Sequence, residues 1–202
     1  NPALADEIIS HELEEAGAEK IDEYWYYDGE QIEITFFIRS DDPVRKSIGE
    51  ILSSELEKIG FKVNKDFGDL NKAFVVVYGS DPADQKWHIY TEGWGSSGFA
   101  KYDSVGLAQM YSPWFSNMPG NNDPTYWNYK NDYIDSITKK IYVSDFKSAE
   151  ERSSLIKQAT KEGVSESVRI FLASKTDQYV ANDDIDGIIN ALGAGVPTRF
   201  TT

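Results

Sequence analysis

The stretch that decides the fold is QIEITFFIRSDDPVRKSIGEILSSELEKIGFKVNKDF, residues 31–67. Ile32, Ile34, Phe36 and Ile38 alternate with their neighbours, which is the period of a strand over 31–39. Phe37 puts an apolar side chain on the opposite face, so the strand is expected to be covered on both sides. Ser40-Asp41-Asp42-Pro43 opens a helix, with Val44, Ile48, Ile51, Leu52, Leu56 and Ile59 at helical spacing and Gly60 as its stop. A second strand is expected over 61–67. Strand, helix and strand with short joints make a βαβ unit, normally parallel and right-handed.

Working outward, Asn1-Pro2 starts a helix that ends near Gly17, and Asp28-Gly29 is a turn. Beyond the βαβ unit, 74–78 is a β-rich run, and 87–94 reads as a strand followed by Gly95-Ser96-Ser97-Gly98. Residues 99–129 read as an aromatic loop with a short helix at 104–111. Helices follow at 131–143 and at 148–161, the latter opened by the capping box Ser148 and Glu151. A further strand is expected over 168–173. The alternation gives an α/β fold with a mixed, mostly parallel sheet flanked by helices.

The net charge of −14 argues against nucleic-acid binding, which needs a basic surface, and against docking on anionic lipid. It favours a neutral or cationic ligand. Without cysteine, thiol catalysis, disulfides and cysteine-held metals are excluded. With only His11 and His88, most zinc-hydrolase designs are also removed; no cofactor and no metal site are expected. The absence of 18 consecutive apolar residues predicts no transmembrane helix.

Trp94 with Gly95, Ser96 and Ser97 is the first candidate site, because small hydroxyls and backbone amides at the carboxyl end of a parallel strand are placed to bind ligand. A flexible surface turn is the plainer account. Trp114 and Trp127 could stack on a sugar or peptide side chain, or simply fill the space between the loop and the sheet. His88, Tyr90 and Glu92 share one strand face and could form an acid/base row, although structural hydrogen bonding is commoner for such residues. Asp41-Asp42 is most simply a cap. The acidic run Asp183-Asp184-Asp186 lacks the glycine and terminal glutamate of a calcium loop. Arg152, Arg169 and Arg199 are expected to make exposed salt bridges.

Several segments recur in a familiar order: Tyr26-Tyr27-Asp28-Gly29 before a strand, Asp42 and Arg45 with Ile59-Gly60 on the helix, and Trp87-His88-Ile89 through Gly93-Trp94. Trp127-Asn128-Tyr129 with Asp132 and Asp135 follows, then Glu150-Glu151-Arg152, Val168-Arg169-Ile170-Phe171-Leu172, Tyr179-Val180-Ala181 and Ile185-Asp186-Gly187. In that order they resemble the family 5 extracellular solute-binding proteins of ABC importers, the oligopeptide and dipeptide binders, over residues 1 to about 190. The resemblance implies one lobe of a type II periplasmic-binding-protein-like clamp, no catalysis, and membrane subunits of an importer as partners. It also implies an extracytoplasmic, membrane-tethered protein. Members are much longer, and this chain starts at Asn1, so 1–202 is expected to be a single lobe excised from a longer protein with its second lobe missing.

In the family's peptide binders, an aspartate three residues after the Gly-Trp tryptophan holds the peptide amine. That position is Ser97 here, and the nearest later acid is Asp103. The amine anchor is therefore either displaced to Asp103 or absent, which leaves oligopeptide and oligosaccharide both open. Two other classes stand beside this reading: a free-standing acidic hydrolase using His88 and Glu92 or a carboxylate pair, and an interaction module using the aromatic loop.

Overall fold

The computed structural model describes residues 1–94, 102–115, 117–174, 180 and 182–184. The chain divides into two units, Asn1–Gly93 with Asn122–Tyr126, and Trp94–Asn121 with Trp127–Thr202.

The first unit opens with α1 (Pro2–Glu15), whose N-terminus is capped by the Asn1 side chain accepting from the Leu4 amide. A meander follows, β1 (Glu19–Ile21), β2 (Tyr24–Tyr27) and β3 (Glu30–Gln31), antiparallel in that order. Its two tight turns carry positive φ at Asp22 and Glu23 and at Asp28 and Gly29, as two-residue hairpin loops require. Trp25 is buried under this meander, and its indole nitrogen donates to the Ile59 carbonyl at 3.1 Å.

The βαβ unit is present as read. β4 (Glu33–Arg39) runs parallel to β5 (Lys62–Gly68) on one side and to β6 (Ile89–Tyr90) on the other, in the order β5-β4-β6. Phe36, Phe37 and Ile38 are all buried, so both faces of the central strand are covered. Between the strands lies α2 (Pro43–Ile59), capped by Asp42 and closed by Gly60 at φ 116°. A side chain at Gly60 would be strained by that φ and would also strike the Glu23 carbonyl.

The face α2 turns inward differs from the predicted stripe. Val44 and Ile51 are exposed, whereas Gly49, Ser53 and Ile59 are buried. Small residues let the helix approach β4 so closely that a Cβ on Gly49 would lie 2.7 Å from Ile38. The Ser53 hydroxyl donates back to the Gly49 carbonyl at 2.7 Å, which removes its polarity from the interface.

Two further expectations are corrected in this unit. The run Phe74–Tyr78 is a π-helical turn that continues α3 (Leu70–Ala73), not a strand. Asp69 caps α3, and helical spacing then sets Ala73 and Val77 against Phe37, so tertiary burial overrides the β preference of three valines. The expected strand 87–94 is reduced to Ile89–Tyr90. Hydrogen bonds from His88 and Thr91 to β4 extend the pairing by one residue at each end.

In the second unit α4 (Tyr102–Tyr111), α5 (Asp132–Tyr142) and α6 (Ala149–Glu166) pack together. Asn131 caps α5, accepting from Ile134, and Ser148 caps α6, accepting from Glu151. The Glu151 carboxylate reaches the Lys147 amide at 2.7 Å, one residue before the cap. Ile137, Ile141 and Ala159 form the core, with Leu107, Leu155 and Ile156 packed against it. Residues 168–173 are not a strand: Ile170, Phe171 and Leu172 are exposed, and no other strand in the described part of this unit is there to pair with them.

Candidate functional site

In open parallel sheets, ligands bind outside the carboxyl ends of the strands. At that edge of the first unit stands Arg39, the last residue of β4, whose side chain is 9% exposed. Its guanidinium forks onto Asp41, Nε to Oδ1 at 2.6 Å and a terminal nitrogen to Oδ2 at 2.8 Å. The other terminal nitrogen donates to the Tyr90 hydroxyl at 3.3 Å, and the Arg39 amide donates to the Thr91 hydroxyl at 2.9 Å. The Arg39 hydrogen bonds hold the Asp41 carboxyl below the usual carboxylate range. Beside them the Tyr78 hydroxyl donates to Glu92, and the Tyr78 and Trp87 rings stand edge-on to Tyr90 at 6.3 and 6.5 Å.

Arg45, on the first turn of α2, forms an ion pair with Asp42 at 3.4 Å and donates to the Gly93 carbonyl at 3.3 Å. Any Cβ at Gly93 would collide with that guanidinium. Asp42 is thus the cap expected of it, while Asp41 is instead the partner of Arg39. Sequence reasoning missed Arg39 and Tyr78. The available signal was an arginine in phase with Thr35 and Phe37 on a strand whose neighbouring positions are apolar.

The row His88, Tyr90 and Glu92 is tied into hydrogen bonds with separate partners. His88 Nδ1 accepts from the Thr35 amide at 2.8 Å while the His88 amide donates to the Thr35 carbonyl, so the imidazole stands in for a backbone carbonyl of the ladder. Tyr90 serves Arg39 and Glu92 serves Tyr78. These are preorganised hydrogen bonds between fixed partners, suited to recognition. His11, Glu12 and Glu15 bring ligand atoms within 4.8 Å of one another, but all three are exposed on α1.

In the second unit Trp94 lies under Arg169, with the guanidinium carbon 5.4 Å from the ring centroid. Arg169 also donates to the Met110 carbonyl at 2.5 Å and to the Asn117 carbonyl at 3.0 Å. It is therefore part-buried, not exposed as expected from sequence, and it holds two backbone carbonyls. The Trp94 indole N–H is buried and has no hydrogen-bond partner among the described residues.

Trp114 packs edge-on to Phe115 at 5.5 Å and Tyr142 at 5.6 Å, with the Lys139 ammonium 5.6 Å from its ring. Its surroundings are those of a packed aromatic cluster against α5. Trp127 is half-buried, with its indole N–H also unpartnered. Among the described residues no ring contact joins Trp94, Trp114 and Trp127. Gly95, Ser96 and Ser97 lie outside the described residues; Asp103 belongs to α4, and its side chain lies outside them too.

No protein-family model and no curated protein matches the sequence. Solved structures do match. A nickel ABC transporter from Bacillus halodurans superposes with a TM-score of 0.59 at 17% identity, over 80% of this chain and 30% of that one. The chain has a periplasmic-binding-protein-like fold. The same fold is seen in MelB, a periplasmic binding protein of Agrobacterium fabrum in complex with stachyose (TM-score 0.57, 18% identity, 80% and 24% covered). AppA, the oligopeptide-binding protein of Bacillus subtilis in complex with a nonapeptide, gives a TM-score of 0.54 at 21% identity, with 80% and 29% covered. This chain thus spans under a third of the length of the structures it matches. No helix among the described residues is long and apolar enough to cross a membrane.

Proposed function

We propose that this chain is one lobe of an extracytoplasmic solute-binding protein that serves an ABC importer, and that it captures an oligopeptide by closing against a second lobe. The observation that carries the reading is the fold shared with solved binding proteins, together with the Gly93-Trp94 step that follows β6. In this reading Trp94 forms a wall of the ligand cleft, with Gly95, Ser96 and Ser97 as its polar edge. Arg39, Asp41 and Tyr90 stiffen the strand end of the lobe. Ligand binds the closed state better than the open one and shifts that equilibrium; no covalent chemistry is required.

The net charge of −14 supports a cationic or neutral peptide. An oligosaccharide is the second reading, supported by Ser97 where peptide binders of the resembling family carry aspartate. The test is a ligand screen on the intact protein, by thermal shift, with oligopeptides, stachyose and a nickel–histidine complex. A ligand at a hundred times its dissociation constant stabilises by about 2.7 kcal/mol. Stabilisation by peptides that Trp94→Ala removes is the expected result. No stabilisation by any of the three classes would overturn the reading.

A further inference from the structure

The segment 168–172 turns the usual pattern of burial inside out. Val168, Ile170, Phe171 and Leu172 are exposed, whereas the cation among them, Arg169, is part-buried. Taking a cation out of water is costly unless its new contacts repay it, so those contacts indicate what the residue does. The guanidinium Nε donates to the Met110 carbonyl at 2.5 Å, and a terminal nitrogen donates to the Asn117 carbonyl at 3.0 Å, with the Met118 sulfur 3.6 Å away. The same group lies over the Trp94 ring, its carbon 5.4 Å from the centroid.

Each contact has a physical reason. Met110 lies in the last turn of α4, where carbonyls lack an intrahelical partner and the helix dipole favours a cation. Indole is the aromatic ring that attracts a cation most strongly. A planar guanidinium can donate to carbonyls while it lies over a ring; an ammonium is a point charge and cannot reproduce that geometry. Trp94 is half-buried, and its N–H anchors it to no other described residue. Trp25, by contrast, is fixed through its N–H on the Ile59 carbonyl at 3.1 Å. Trp94 is instead held at its face, by a group that is itself pinned to two backbone carbonyls from segments more than fifty residues away in sequence.

We propose that Arg169 is a positioning residue for Trp94: it covers one face of the indole, fixes the angle of the ring, and leaves a ligand only the opposite face and the edge. Arg169 acts through Trp94 and needs no contact with the ligand. The use of the ring as a wall of the cleft rests on the function proposed above; the fixing of the ring does not.

The test begins on the whole chain without ligand. Nitrogen-15 relaxation follows the Trp94 indole signal, identified by its loss in Trp94→Phe. Its order is expected to fall in Arg169→Met, which keeps an unbranched stem without the cation, and to return in part in Arg169→Lys. The Trp25 indole should change in neither. A Trp94 indole equally ordered in Arg169→Met would overturn the proposal. If that variant does not fold, Arg169→Lys and the unaltered chain decide. Arg169 side-chain protons are expected upfield, shifted by the indole ring current, and back at ordinary positions in Trp94→Leu; ordinary positions in the unaltered chain would overturn the proposal. With a nonapeptide as ligand in the thermal-shift screen, affinity is expected to fall by about tenfold in Arg169→Met and by less in Arg169→Lys. An unchanged affinity would contradict the positioning role. Failure of every ligand class on the unaltered chain would sink the binding reading alone, because the indole measurement decides the positioning without ligand.

Discussion

The two units treat buried polarity in opposite ways. In the first, Trp25 donates to Ile59, Ser53 to Gly49 and the Arg39 amide to Thr91, and the Arg39 fork closes on Asp41. Only Trp87 keeps a buried unpartnered nitrogen among its described residues. In the second, the indole nitrogens of Trp94, Trp114 and Trp127 and oxygens of Tyr111 and Asn121 are buried without a partner among the described residues. The difference teaches that buried polar atoms of the first unit are mostly paired within it, whereas among the described residues of the second several are not.

The comparison can be broken most forcefully at Phe37. Phe37→Ala empties the contact of β4 with Ala73 and Val77 and should cost about 3–5 kcal/mol, read by urea unfolding. A loss below 1 kcal/mol would mean that the first unit does not depend on this core.

A pH series sharpens the contrast through its sign. Asp41 is held low by Arg39, so its contribution is present above the unfolded carboxyl value and is lost as pH falls through the folded one. Asp135 is raised by burial, so its contribution is present below the unfolded value and is lost as pH rises through the folded one. Asp41→Asn should therefore cost stability at neutral pH and little in acid. Asp135→Asn should gain on the wild type as pH rises from about 4. Parallel curves for the two variants would contradict the assignment.

The smallest effect concerns α6. Ser148→Ala removes the cap from the Glu151 amide and should cost about 1 kcal/mol, or a few degrees of Tm. An unchanged Tm would show that Glu151 and the Lys147 amide suffice to start the helix.

Legibility followed the range of the interactions. The βαβ unit could be read because its signals are local: alternation in β4, Asp42 before Pro43, Gly60 at a left-handed stop. The inward face of α2 was misread because Gly49 and Ser53 carry no hydrophobic signal; closeness to Ile38 explains Gly49, and the bond to the Gly49 carbonyl lets Ser53 be buried. Residues 74–78 misled because valine preference yields to the contact of Val77 with Phe37. Residues 168–173 have strand composition without a partner strand in the described part of their unit. The part-buried placement of Arg169 was not legible, because its partners at Met110 and Asn117 are more than fifty residues away.

We propose that this chain is one lobe of a larger binding protein tethered at the membrane. The most direct measurement is an immunoblot of fractionated cells with an antibody against the chain. A band much heavier than 22.8 kDa in the membrane fraction is the predicted result. A soluble band near 22.8 kDa, with nothing heavier, would contradict the account.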